Sequence, residues 1–274
     1  MKRMSIVLVV VVSCLCAFSF ANAYTTVPQS FLIPSTGYYT TDLGNIAVMT
    51  GGGSSANVGD SSGKNDDGFM GPINLGFKLD FYGGEYEQFW ANNNGNVSFT
   101  GGISSYEPDG PLGADVPIIS PFFADVDTRG LDSGVMYIQS NIPGQWIITW
   151  DNVGYYDSND GLLNSFQLVL RSAAFNVPVG EGQFGFFYKT MDWEITETST
   201  TAAVGFGNGI GDGIVLAGSN TPGLAPVLSN HHIWFNSDED VIIVVPPSVV
   251  PEPGTMMLLS MGMLGAAFLA RRKS

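Results

Sequence analysis

The chain has 274 residues, 25 of them acidic against ten Lys and Arg, and carries a formal net charge of −15. That length leaves room for one or two domains, and so acidic a surface repels nucleic acid and anionic lipid while suiting cations or neutral partners. The two cysteines, Cys14 and Cys16, both fall in the leader described next, so the mature protein has no thiol nucleophile, no zinc–thiolate site and no disulfide staple.

Lys2 and Arg3, an apolar run over residues 6–20 and Ala21-Asn22-Ala23 have the order of a secretory leader, with cleavage expected between Ala23 and Tyr24. Cys14 offers a lipoprotein alternative, but the apolar run before it is short and continues beyond it. The domain expected over residues 24–236 keeps only Lys64, Lys78, Arg129, Arg171 and Lys189 as cations. About 210 residues bury enough apolar surface to fold without a staple.

Residues 24–67 are rich in Thr, Ser and Gly and read mostly as loop, with Asn65-Asp66-Asp67-Gly68 as a turn. From Ile73 onward short strands alternate with turns, and helical periodicity is not evident. Leu75, Phe77, Leu79 and Phe81 form one apolar face, and residues 85–90 and 96–99 form a hairpin across Asn94-Gly95. Further strands are expected over 117–127, 134–140, 145–153, 164–172, 183–190, 202–207, 214–217 and 233–235. This pattern predicts one all-β domain, an antiparallel β-sandwich.

The stretch 117–129, PIISPFFADVDTR, turns from apolar to acidic along its length. Alternation along a strand places Phe123, Asp125, Asp127 and Arg129 on one face. Asp125 and Asp127 are therefore candidate ligands for a divalent cation, with Ca²⁺ the one cofactor the residues suggest and Asp132 in the next turn a further contributor. The competing reading is a structural ion pair between Asp127 and Arg129. Asp157–Gly161 misses the EF-hand register and reads as an acidic hairpin turn.

Three other groups carry residue types used in catalysis or binding. Asp192 and Glu194 share a face, with Glu197 joining through a bulge, which is the pattern of a glycosidase carboxylate pair. In a domain acidic throughout, composition explains it, and no catalytic residues are expected. His231 and His232, the only histidines, point to opposite faces and read as a solvent-facing edge before the last strand. Tyr38, Tyr39, Tyr106, Tyr155 and Tyr156 sit in or beside loops, where such rings build stacking platforms for sugars.

After a linker over 237–250 come Pro251-Glu252-Pro253, an apolar segment over 255–270 and the basic tail Arg271-Arg272-Lys273. A helix of that segment is about 24 Å long, a little short of the roughly 30 Å hydrocarbon core. Its basic end stays cytoplasmic and leaves the acidic domain outside. Residues 251–274 resemble a PEP-CTERM sorting signal. That resemblance implies a Gram-negative source, a transient inner-membrane anchor through a transmembrane helix, and cleavage near Pro-Glu-Pro by an exosortase. It also implies delivery to the cell surface or the exopolysaccharide matrix.

The preceding domain resembles the nidogen-like (NIDO) extracellular domain. The matching pieces are Phe81-Tyr82-Gly83, NNNGNVSF at 92–99, PIISPFFADVDTR, NSFQLVL at 164–170, FGFFYKTMDWE at 184–194 and AAVGFGNG at 202–209. The resemblance implies a non-catalytic role in cell–matrix adhesion or in structuring a biofilm matrix, with exopolysaccharide or matrix proteins as partners. Unlike its animal relatives, this chain lacks neighbouring EGF-like modules and any cysteine in the domain. The alternative is a carbohydrate-binding module for exopolysaccharide, and a surface glycosidase is the third reading.

Overall fold

The computed structural model describes residues 24–53, 57–108, 115–194 and 201–236. The expected leader with Ala23, the linker, Pro251-Glu252-Pro253, the apolar segment and the basic tail lie outside the described residues. Among the described residues no helix is long and apolar enough to cross a membrane.

Two sheets carry the fold. Their strands, in chain order, are β1 (Tyr24–Val27), β2 (Ile33–Pro34), β3 (Asn45–Ile46), β4 (Gly51–Gly52), β5 (Gly68–Phe81), β6 (Gly84–Asn92), β7 (Asn96–Ser98) and β8 (Ile118–Phe123). There follow β9 (Met136–Gln139), β10 (Gln145–Tyr155), β11 (Asn159–Arg171), β12 (Phe184–Met191), β13 (Ala203–Gly207), β14 (Gly213–Leu216) and β15 (His231–Phe235). One sheet runs β1-β14-β13-β8-β7-β6-β5-β4 and the other β2-β15-β12-β11-β10-β9-β3. The β1–β14 pair is parallel; the other ladders are antiparallel, as the alternating pattern predicts.

The inner faces meet in one core that contains Phe81, Phe89, Phe122, Trp150, Phe166, Leu168, Phe184 and Phe206. Rings provide much of the contact. Trp150 stacks on Phe166 with centroids 4.9 Å apart, and Phe122 meets Trp193 edge-on at 5.7 Å. Offset and edge-on pairs of this kind add about 0.5–1.5 kcal/mol each beyond the area they bury. Three of the four edge strands are only two residues long, which leaves little unpaired backbone to recruit another chain.

β8 runs through the middle of the first sheet and is buried along its whole length. Pro121 within it lacks an N–H for the ladder, and it lies where the register against β13 shifts, between the Phe123–Ala203 and Ser120–Gly205 pairs. The hairpin before it, from β6 to β7, turns at Asn93-Asn94-Gly95 as the Asn-Gly signal predicts. Gly95 has φ +76°, and a Cβ there would lie 1.7 Å from the Phe122 carbonyl oxygen. Only glycine fits.

The loop-rich N-terminal stretch does more than the composition suggests, because it supplies four short strands that border both sheets. One short helix, α1 (Leu224–Leu228), also departs from the all-strand expectation. It buries Leu224, Ala225 and Leu228.

Candidate functional site

The ladder ends at Phe123, and the chain beyond it is held by loop backbone, single bridges and side chains rather than by a continuing strand. Val126 N–H donates to Asn94 Oδ1 at 2.9 Å, and Thr128 N–H donates to the Asn65 carbonyl at 3.0 Å. Single bridges tie Val126 to Tyr155 and Asp127 to Asp66. The common strand face expected for Phe123, Asp125, Asp127 and Arg129 is therefore not built, and the two aspartates have different surroundings.

Asp127 is fully buried and forms a fork with Arg129. The Arg129 backbone N–H and Nε both donate to Oδ1 at 2.9 Å, and Nη2 donates to Oδ2 at 2.6 Å. Ser158 N–H adds 2.7 Å to Oδ2. The same Nη2 lies 2.9 Å from Asp66 Oδ2 and 3.3 Å from Asp157 Oδ1. The Asp127 hydrogen bonds, helped by the neighbouring carboxylate charges, raise the Arg129 pKa above the ordinary guanidinium range. The ion-pair reading of Asp127 is the one the geometry builds.

Asp125 is buried and joins Asp66 and Asp67 instead, with one carboxylate oxygen from each residue within 4.8 Å of the others. The turn carrying Asp66 and Asp67 is pinned in several ways. Gly68 N–H donates to Asn65 Oδ1 at 2.6 Å, and Asn65 N–H to Thr128 Oγ1 at 2.7 Å. Asp67 adopts φ 59°, a left-handed conformation that aspartate tolerates in turns.

Asn94 Nδ2 donates to Asp67 Oδ1 at 2.7 Å. Asn93 is clamped alongside, its N–H on the Gly68 carbonyl at 2.8 Å and its Nδ2 on the Val126 carbonyl. Burial first, then the charges of Asp127 and Asp67, push the Asp66 pKa up to about 7 against the opposing pull of Arg129. Asp66, Asp67, Asn93 and Asn94 are the site residues that sequence reasoning passed over. Both segments read as turns and are turns; what the pattern does not contain is their meeting at the end of β8.

The other candidates are dispersed. Asp160 Oδ2 accepts from the Asp132 N–H at 2.8 Å, and Asp157 belongs to the β10–β11 turn as expected. Glu194 does not face a cleft with Asp192. Its two oxygens accept from Gly223 N–H at 2.5 Å and Ala225 N–H at 2.7 Å, which fastens the start of α1. Asp192 is exposed, and Glu197 lies outside the described residues.

The histidines do not form a solvent-facing edge, because β2 pairs outside them. Both are half-buried in β15; His232 stacks on Phe187 at 5.0 Å and burial lowers its pKa, while His231 Nδ1 lies 2.9 Å from the Ser229 carbonyl.

Tyr38, Tyr39 and Tyr155 each pack against different partners rather than in one platform. Tyr38 donates to Asp151 Oδ1 at 2.6 Å. Tyr39 packs against Phe187 and Trp234 on the outer face of the second sheet. There Arg171, fully buried, lies 4.5 Å from the Trp234 ring centre and donates to Tyr39 Oη and Glu181 Oε2 at 2.8 and 2.5 Å. Tyr155 packs against Trp193 at 5.4 Å, and Tyr156 is exposed.

Against known proteins, residues 38–242 match the family described as NIDO related, and residues 249–273 match the PEP-CTERM protein-sorting motif. Alpha-tectorin of Mus musculus is 30% identical over 183 residues, covering 57% of this chain and 8% of that protein. Nidogen of Drosophila melanogaster is 32% identical over 117 residues, 34% of this chain and 9% of that protein. Nidogen-2 of Mus musculus is 27% identical over 186 residues, 54% of this chain and 13% of that protein. The chain thus spans roughly a tenth of the length of these relatives. No solved structure matches it at a significant level.

Proposed function

Because this chain belongs to the NIDO-related family and ends in a PEP-CTERM sorting motif, we propose that it is an exported, non-catalytic protein of the bacterial surface. In this reading an exosortase of a Gram-negative inner membrane cuts near Pro251-Glu252-Pro253. The apolar segment is a transient anchor, and the released domain acts in cell–matrix adhesion or in organising the exopolysaccharide matrix. The observation that carries the reading is the joining of the two matches in one chain, the sorting motif following directly on the domain.

Three further features support a binding and structural role. The domain is strongly acidic, which favours neutral or cationic partners over nucleic acid. Glu194, the best carboxylate for glycosidase chemistry, is spent on two backbone N–H groups. Arg171 and Arg129 are both held in ion pairs.

The test is fractionation of the source bacterium with its exosortase present and deleted. The reading expects a shortened chain in the matrix fraction when the enzyme is present, and an uncut, membrane-retained chain when it is absent or when Pro251-Glu252-Pro253 is replaced by alanines. An uncut chain in the cytoplasm of both strains refutes it.

A further inference from the structure

We infer that Asp66, Asp67 and Asp125 bind one calcium ion at the end of β8. The inference is independent of the proposed surface role, since it rests on this corner of the domain alone. One oxygen from each carboxylate lies within 4.8 Å of the others. Two oxygens bound to the same Ca²⁺ at 2.3–2.6 Å are separated by at most about 5 Å, so the existing spacing already suits one ion.

A cluster of carboxylates alone is common on an acidic protein. This one is different because part of it is taken out of water without the partners that burial demands. Asp66 is only 7% exposed, and its Oδ1 meets no hydrogen-bond donor among the described residues. Its other oxygen is held by Arg129. Asn93, fully buried, is fixed between the Gly68 and Val126 carbonyls, the sequence neighbours of Asp67 and Asp125, and its Oδ1 is likewise without a donor.

Buried oxygens with no donor are destabilising unless something satisfies them. Asp66 Oδ1 and Asn93 Oδ1 are acceptors, so the partner they lack is a donor or a cation, while Asn65 Nδ2 in the same turn as Asp66 is a buried donor left open beside them. Charge selects the cation: Arg129 is shared by Asp127, Asp66 and Asp157 and leaves the corner strongly negative.

The donor set selects among metals. It contains three carboxylate oxygens, with no thiolate or imidazole grouped with them among the described residues, which disfavours zinc and copper. The ligands come from two loops far apart in sequence, whose adaptable geometry suits the six to eight oxygens of calcium better than the rigid octahedron of magnesium. Asn94, which donates to Asp67 Oδ1 and accepts from Val126 N–H, is the positioning residue that sets one loop against the other.

The experiment uses the full chain in detergent, stripped with EDTA and then titrated with CaCl₂. Equilibrium dialysis and the thermal unfolding midpoint are the two readouts, and MgCl₂ serves as comparison. The expected result is one calcium bound per chain in the micromolar to millimolar range, with a rise of several degrees in the midpoint that EDTA reverses. Asp67→Asn and Asp125→Asn should each weaken binding at least tenfold, while Asp192→Asn, an equal loss of charge elsewhere, should leave it unchanged.

Removing a carboxylate also relieves repulsion, so the apo proteins of both site variants should remain folded and keep the comparison interpretable. Absence of binding at 10 mM calcium in the native chain overturns the inference. So does binding that survives both site variants, which places the ion elsewhere.

Discussion

Asp127 and Arg129 close a two-residue fork in which both carboxylate oxygens of a fully buried aspartate are taken by the same guanidinium. Pairing at such short range in sequence lets the chain carry a buried charge out of the end of β8 without waiting for a distant partner.

Removing the guanidinium should therefore be severe. Arg129→Ala leaves Asp127 buried and unpaired and also strips Asp66 of its contact, a loss of about 3–5 kcal/mol. Arg129→Lys keeps the charge without the fork and should fall between. Urea unfolding of the three proteins, read by tryptophan fluorescence, ranks them.

Gly95→Ala tests the hairpin. The added Cβ would lie 1.7 Å from the Phe122 carbonyl oxygen at a positive φ, so the turn must open and pull on β8. A destabilisation of more than about 2 kcal/mol is expected, read from the shift in urea midpoint. Alanine at Gly83, also at positive φ but with nothing within 4 Å of its Cβ, should cost less.

Much of this architecture was legible in the sequence. The alternation through Leu75, Leu79 and Phe81 and the Asn94-Gly95 turn each have a local physical cause, and each leads to the observed element. The acidic corner was only half legible. Asp125 stands out because it ends a buried apolar run, but Asp66 and Asp67 lie in a polar turn some 60 residues earlier, and no periodicity joins the two.

Loop aromatics misled for a related reason. Tyr39 sits in a glycine- and threonine-rich stretch, yet it packs over Arg171 because a buried guanidinium needs both a hydrogen-bond acceptor and ring faces.

Alkaline pH should destabilise the domain. Burial raises the tyrosine pKa at Tyr38 and Tyr188, and at Tyr82 pushes it to about 12 from an ordinary value of 10.0. The folded state therefore holds phenolic protons that the unfolded chain releases. The stability they contribute is fully present below pH 10 and declines as pH rises through the folded values. The urea midpoint should be flat between about pH 8 and 9, above the Asp66 transition, and fall by pH 11, and Tyr82→Phe should make that fall shallower.

Glu194 should be structural rather than catalytic. Glu194→Ala removes two acceptors from the start of α1 and is expected to cost about 1–2 kcal/mol, less than a fully buried charged bond because the residue is half-exposed. Glu194→Gln should recover part of that loss. Turnover of a polysaccharide by the native chain, abolished in Glu194→Gln, contradicts this assignment.

In the proposed reading the exported domain holds matrix and cells together without chemistry. The decisive measurement is how much of the chain stays with washed matrix, and how cohesive that matrix is, in the source bacterium with the protein present and deleted. The account predicts that most of the processed chain is retained, that deletion weakens the matrix, and that returning the chain restores it. A chain found free in the medium, with matrix cohesion unchanged by deletion, contradicts it.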